Sequence, residues 1–133
     1  MGALQDDTGN AEYVFTVRLR LSPSDSTVRV DPATVETTLF KRAASPGTEG
    51  WLFFRDNLWR GEVNDHDHMC NLAAEMLGVD IESVEFRELR TDKAYYESLQ
   101  DAIADDLELF NADDVPEVLT KYVGSSINVV GEP

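Results

Sequence analysis

Residues 51–63, WLFFRDNLWRGEV, contain both tryptophans of the chain, two of its six phenylalanines and two of its eight arginines. The segment follows a first third with strand patterns and precedes a remainder with many helix patterns. Its first part, Trp51–Arg55, is apolar for four residues, which predicts a third strand at the centre of a sheet. Asp56 and Asn57 end that strand, and Leu58–Val63 is predicted as a turn or short strand.

Two strands are predicted before this segment. Residues 12–21 alternate apolar and polar side chains, as expected for a half-buried strand. A turn over residues 22–25 precedes a possible short return strand, Thr27–Val30. Thr34–Arg42 (TVETTLFKR) is rich in β-branched residues and is predicted as a strand, although Asp31-Pro32 before it also fits a helix start.

Helices and strands alternate after the segment. The pattern predicts a helix from Asn64 or Asp65 to Leu77, a strand within Val79–Arg90, a helix over Lys93–Phe110, a short helix from Asp113 or Asp114 to Val123, and a last strand over Ser125–Val130. This order predicts an α+β fold, a two-layer sandwich in which a mixed β-sheet is backed by helices on one face. We expect residues 1–11 to form a flexible N-terminal tail and residues 12–133 a single domain.

The charge is the strongest signal in the composition. Twenty-six acidic residues against eleven basic ones give a net charge of −15, and three lysines stand against eight arginines. An ordinary acidic protein could have this composition, but we favour adaptation to molar salt inside the cell, because short acidic side chains expose less apolar surface than lysine stems. Residues 1–11 have no basic region or apolar stretch, and the chain has no apolar run long enough to span a membrane, so we expect a cytoplasmic protein.

Signatures of catalysis and metal binding are weak. The single cysteine, Cys70, is predicted as a packing residue, since a nucleophile needs a positioned base. Residues 65–68 (DHDH) and Cys70 resemble metal ligands, but zinc needs three or four ligands that converge, and acids in a first helical turn are explained by the helix dipole. We therefore predict no metal, no cofactor and no catalytic residue. The sequence does not decide whether the protein is an enzyme, but it favours a protein without catalytic activity.

The arginines allow two interpretations. Six of the eight lie in or beside predicted strands. A guanidinium matches carboxylate and phosphate groups, so Arg55, Arg60 and Arg87 are candidates for an anion site. The favoured alternative is that sheet arginines pair with nearby glutamates, as cross-strand neighbours do; the candidate partners are Glu36, Glu62, Glu85 and Glu88.

Residues 53–62 (FFRDNLWRGE), in an acidic chain with few lysines, resemble the LWR-salt proteins of halophilic archaea, a family named for the triplet found here as Leu58-Trp59-Arg60. The similarity extends to residues 110–113 and 124–126 near the end of the chain. The resemblance implies a haloarchaeal habitat. The family has no established function, so it supplies no catalytic residues.

The leading functional hypothesis is a non-catalytic binding or interaction domain, because tryptophan and arginine are the commonest interface anchors. The candidate anchors are Trp59 and Arg60. The other candidate binding residues are Asn57, from the same segment, and Arg55 and Arg87, which would form the anion site together with Arg60. We expect a protein partner or a homodimer. The alternative is a binding protein or small enzyme for an anionic small molecule, whereas nucleic-acid binding would need a basic surface that this composition lacks. Trp59 could also simply cover one end of the core.

Overall fold

The computed structural model describes residues 9–130, and these form the α+β fold that the sequence predicts. The elements are β1 (Ala11–Arg20), β2 (Thr34–Arg42), α1 (Phe53–Asn57), β3 (Leu58–Trp59), β4 (Glu62–Val63), α2 (His66–Leu77), β5 (Asp80–Thr91), α3 (Lys93–Asp105), a 3-10 helix (Leu107–Phe110), α4 (Val115–Tyr122) and β6 (Ile127–Val129). The longest helix has 13 residues, and no helix within residues 9–130 is long and apolar enough to cross a membrane.

The main sheet has four strands in the order β2-β1-β5-β6. Strand β1 is antiparallel to both neighbours, and β6 is parallel to β5, so the sheet is mixed as predicted. The alternation in β1 places Tyr13, Phe15 and Val17 in the core, whereas Arg18 on the other face is exposed. Strands β3 and β4 form a separate two-stranded hairpin.

The prediction of a central strand over Trp51–Arg55 is wrong. Residues 51 and 52 lie in a turn, and the one-and-a-half-turn helix α1 follows. Phe53 packs on Tyr13 of β1 with ring centroids 4.6 Å apart, and Phe54 stacks on Phe110 at 5.7 Å. The apolar run therefore reflects a short helix that is buried on two sides, between the sheet and the 3-10 helix. The central strands are β1 and β5.

Two smaller predictions also differ from the structure. The helix predicted over Lys93–Phe110 ends at Asp105, because the backbone of Asp106 leaves the helical region (φ −138°), and a 3-10 helix replaces its last turn. Residues 27–30 form no strand. Instead, Asp25 accepts hydrogen bonds from the hydroxyl and the backbone N–H of Thr27, which lower the pKa of the Asp25 carboxyl.

The remaining elements lie close to their predicted positions. Helix α2 begins after Asp65, whose side chain accepts a hydrogen bond from His68 N–H, and ends at Gly78 in the left-handed region. Residues 1–8 of the predicted tail lie outside the described residues, while Ala11 is already the first residue of β1.

Candidate functional site

The triplet Leu58-Trp59-Arg60 forms the first half of a tight β-hairpin. Leu58 pairs with Val63 and Trp59 with Glu62, so the turn consists of Arg60 and Gly61. Both turn residues have positive φ, 54° and 83°, as the type I′ turn of a two-residue hairpin requires. Leu58 is fully buried and anchors the hairpin in the core, whereas Trp59 points away from it and is 44 % exposed.

The turn binds the C-terminal end of α4. The last carbonyls of a helix have no partner within the helix. Arg60 N–H donates to Lys121 O at 2.8 Å, and Gly61 N–H donates to Tyr122 O at 3.0 Å. The hairpin therefore caps α4 through its backbone, which leaves the side chains of Trp59 and Arg60 free for other contacts.

Two glycines allow this close approach. A Cβ on Gly124 would lie 3.1 Å from the carbonyl carbon of Arg60 and 3.2 Å from Gly61 N, and a Cβ on Gly61 would lie 3.1 Å from Val123 O. Both glycines also have φ near +70° to +80°, which costs an L-residue about 1–2 kcal/mol. A side chain at either position would separate the turn from α4.

Trp59 is the outermost member of an aromatic cluster. Its ring meets Tyr122 edge-on at 5.9 Å, and Tyr122 contacts Phe54 and Phe110 in the core at 6.1 and 6.2 Å. The guanidinium carbon of Arg60 lies 5.6 Å from the centre of the Trp59 ring. The indole is thus held by contacts along part of its surface while the rest remains open to solvent.

The hairpin and α4 together line an open cleft of about 640 Å³, which we call the LWR cleft. Its lining residues are Trp59, Arg60, Pro116, Glu117, Thr120, Lys121 and Gly124. No carboxylate among residues 9–130 forms an ion pair with Arg60. Lys121 donates to the carbonyls of Phe110 and Asn111, at 2.9 and 3.2 Å. Glu117 accepts from Asp113 N–H at 3.0 Å as part of the α4 cap. The cleft therefore offers an unpaired cation beside an exposed aromatic ring.

Two of the other candidate binding residues make contacts within the fold. Arg55 donates to Asp56 at 2.9 Å and to Leu109 O at 3.4 Å, which ties α1 to the 3-10 helix. Asn57 is 8 % exposed and donates to Phe53 O at 3.0 Å. Neither residue lines the LWR cleft.

Arg87 lies in a different depression. It pairs with Glu85 at 3.4 Å and lines a cleft of about 490 Å³ between β4 and β5. Arg20 likewise pairs with Glu82, and Arg90 with Glu88. Pairing with glutamates thus accounts for these sheet arginines, but only Glu85 and Glu88 of the four predicted partners take part, and they pair within β5 and not across strands. The arginines Arg55, Arg60 and Arg87 line no common cleft.

His66 and Cys70 contact each other on α2, where residues four positions apart lie on the same face. Cys70 Sγ lies 3.7 Å from the ring nitrogens of His66, and His66 Nε2 accepts a hydrogen bond from Val84 N–H of β5 at 3.3 Å. Burial and the Asp67 carboxylate raise the pKa of the Cys70 thiol, which keeps it protonated at neutral pH. Among residues 9–130, no three His, Cys, Asp or Glu side chains converge in a metal-binding arrangement.

The sequence patterns do not indicate the α4 side of the cleft. Pro116, Thr120 and Lys121 carry no motif, and Tyr122 matches only the pattern of a buried helix face. One signal was present: a glycine follows both the LWR triplet and the α4 pattern, at positions 61 and 124. Nothing in the sequence shows that these two glycines touch.

Comparisons with known proteins support the family resemblance that the Leu58-Trp59-Arg60 triplet indicates. The model of the family described as LWR-salt protein matches residues 9–132. No curated protein and no solved structure matches the chain.

Proposed function

The chain belongs to the LWR-salt protein family, and we propose that it is a non-catalytic binding domain of the halophilic cytoplasm. Its binding site is the LWR cleft. Its partner is a protein segment that presents a carboxylate next to an apolar or aromatic side chain.

The conformation of Arg60 carries this proposal. The first position of such a turn favours asparagine, aspartate or glycine, because other residues are strained at positive φ. Here an arginine occupies it with φ 54°, and the hydrogen bond to α4 comes from its backbone N–H and not from its side chain. A side chain kept in a strained position, without an ion-pair partner in residues 9–130, is best explained by a contact outside the chain.

The chemistry of the cleft defines the partner. An unpaired guanidinium favours a carboxylate, which can accept two parallel hydrogen bonds from it. Trp59 and Pro116 provide the apolar surface, and Trp59 is held against Tyr122 before any partner arrives. A partly ordered aromatic anchor loses little conformational entropy on binding.

The net charge of −15 is compatible with an acidic partner under halophilic conditions. At about 1 M salt the Debye length is about 3 Å, so long-range repulsion between two acidic proteins vanishes while groups in contact still interact. Cytoplasmic proteins adapted to such salt have acidic surfaces, and an arginine beside a tryptophan selects carboxylates from them. The ratio of eight arginines to three lysines supports the halophilic habitat.

The two tryptophans allow a direct test by NMR. Each tryptophan gives one indole N–H signal, and the spectrum of Trp59→Phe assigns the two signals. Trp51 is 9 % exposed and therefore far less accessible to a ligand than Trp59. We would titrate the protein in about 1 M KCl with an acetylated peptide containing Phe-Glu, and with the matched Phe-Gln peptide. We expect a saturable shift of the Trp59 signal with the Glu peptide, a weaker one with the Gln peptide, and an unchanged Trp51 signal. Equal responses to both peptides, or none, would contradict the proposal.

A second candidate function is binding of an anionic small molecule in the same cleft. Its volume of about 640 Å³ falls within the usual range of ligand pockets. The same titration with phenyl phosphate and benzoate separates the two candidates. Saturation by these compounds without a response to the peptide would favour the small molecule.

A further inference from the structure

Strand β2 leaves a long backbone edge without a neighbour. It lies at the end of the sheet order, and its nine residues pair with β1 over their whole length without a register shift. No strand within residues 9–130 covers its other side. An uncovered edge of this length is a template for pairing with another strand.

Two hydrogen bonds fix which backbone groups face outward. Leu21 N–H donates to Ala33 O at 2.7 Å, and Ala43 N–H donates to Ala11 O at 2.9 Å. Bonded and non-bonded pairs alternate along an antiparallel ladder. The odd-numbered residues between 33 and 43 therefore bond to β1, and the even-numbered residues direct their N–H and C=O groups away from it. These outward residues are Thr34, Glu36, Thr38, Phe40 and Arg42.

We propose that this edge pairs with the same edge of a second copy, antiparallel about a two-fold axis at Leu39. The product is a dimer with one continuous sheet, four strands from each copy. The two-fold axis is perpendicular to the sheet. When it passes beside residue n, residue n−k lies opposite residue n+k of the second copy, and the two opposed side chains lie on the same face of the sheet. An axis at Leu39 places Glu36 opposite Arg42 of the second copy, and the reverse pair forms by symmetry.

The charges on β2 favour the register with the axis at Leu39 over the alternatives. An axis at Glu36 or at Arg42 would bring like charges together, which destabilises directly opposed pairs. An axis at Thr38 would place Glu36 opposite Phe40. With the axis at Leu39, both outward charges of β2 meet opposite charges, and Thr38 pairs with Phe40.

The charge pattern also continues into each sheet. In β1, Glu12 lies beside Arg42, and on its other side it pairs with Arg90 of β5 at 3.9 Å. The dimer would extend this row of alternating charge to Glu36 of the second copy. Phe40, which is 50 % exposed and lies under Arg90, would gain a neighbour at the junction.

This surface is separate from the LWR cleft and shares no residue with it. The dimer and the proposed binding function can therefore fail independently. The net charge of −15 per copy opposes association at long range, so the dimer requires salt that shortens the Debye length to about 3 Å, near 1 M.

Charge exchange across the edge tests the proposal. We would measure the mass of the wild-type protein by sedimentation equilibrium over a range of concentrations in about 1 M KCl. Glu36→Arg and Arg42→Glu each create two like-charge pairs, and we expect each variant to dimerise about tenfold more weakly than wild type. An equimolar mixture of the two variants should associate again, because all opposed charges are then complementary. Glu75→Arg on α2 is the net-charge control for Glu36→Arg, since both substitutions make the net charge two units less negative. Thermal melting checks that every variant is folded.

The outcomes are distinct. Weakened variants whose mixture recovers, together with an unaffected Glu75→Arg, support the β2 dimer. A wild-type protein that stays monomeric at all concentrations contradicts it. A dimer that is indifferent to both charge reversals, or a mixture that does not recover, would place the interface elsewhere and also contradict it.

Discussion

Replacing Gly124 by alanine should destabilise the protein more than replacing Gly78. Both glycines follow a helix, have similar φ (69° and 75°) and donate their N–H to a carbonyl of the preceding helix. A Cβ at Gly78 would meet nothing within 4 Å, whereas one at Gly124 would lie 3.1 Å from the carbonyl carbon of Arg60. The pair therefore separates the cost of the left-handed backbone from the cost of moving the LWR turn.

The magnitudes follow from this difference. Gly78→Ala should cost about 1–2 kcal/mol, the penalty of an L-residue at positive φ. Gly124→Ala should cost about 2–4 kcal/mol, because forcing a methyl group into a packed contact adds a penalty. Urea unfolding at constant KCl, followed by circular dichroism, gives both free energies. Equal losses would refute the close packing of the LWR turn on α4.

Two further predictions concern stability. Trp59→Ala should cost about 1–2 kcal/mol, since its ring is 44 % exposed, while Phe54→Ala should cost about 3–5 kcal/mol, since its ring is buried; equal losses in urea unfolding would mean that Trp59 is a core residue. The second prediction concerns alkaline pH. Burial raises the pKa of the Tyr13 and Tyr95 hydroxyls, so just above pH 10.0 only the unfolded chain releases these two protons. The free energy of unfolding therefore keeps its full value at lower pH and falls as the pH rises above 10.0. The free energy of unfolding should fall by up to about 2.7 kcal/mol per pH unit in the wild type and by about half of that in Tyr95→Phe. An unchanged slope in that variant, measured by urea unfolding across this pH range, would contradict the burial of the Tyr95 hydroxyl.

Much of the fold could be predicted because local signals agree with the tertiary structure. The alternation of β1 survives in the sheet, Asp65 and Gly78 begin and end α2, and the β-branched residues of Thr34–Arg42 outweigh the helix start at Asp31-Pro32. The mixed sheet followed from the order of elements.

Residues 51–55 show why other parts of the fold could not be predicted from the sequence. A helix of five residues is too short to display a helical period, so its apolar run reads as a buried strand. Its conformation depends on packing between Tyr13 and Phe110, which lie far from it in the sequence.

The candidate site was predictable only in part. The LWR triplet identified one wall of the cleft, since Trp59 and Arg60 both line it. Arg55, Asn57 and Arg87 were grouped with them by proximity in sequence or by charge, but the structure directs their side chains elsewhere. The α4 wall depends on a contact between glycines 63 residues apart, which no local pattern reveals.

The free energy of unfolding of Arg60→Asn tests the central claim most directly. Asparagine tolerates the left-handed turn, so the substitution relieves strain and loses only the guanidinium contact to Trp59, worth about 0.5–1 kcal/mol at an exposed site. If Arg60 is retained for binding, Arg60→Asn should be as stable as wild type or up to about 1 kcal/mol more stable. A loss of more than about 1 kcal/mol would show that the guanidinium stabilises the fold, and it would contradict a binding role for the LWR turn.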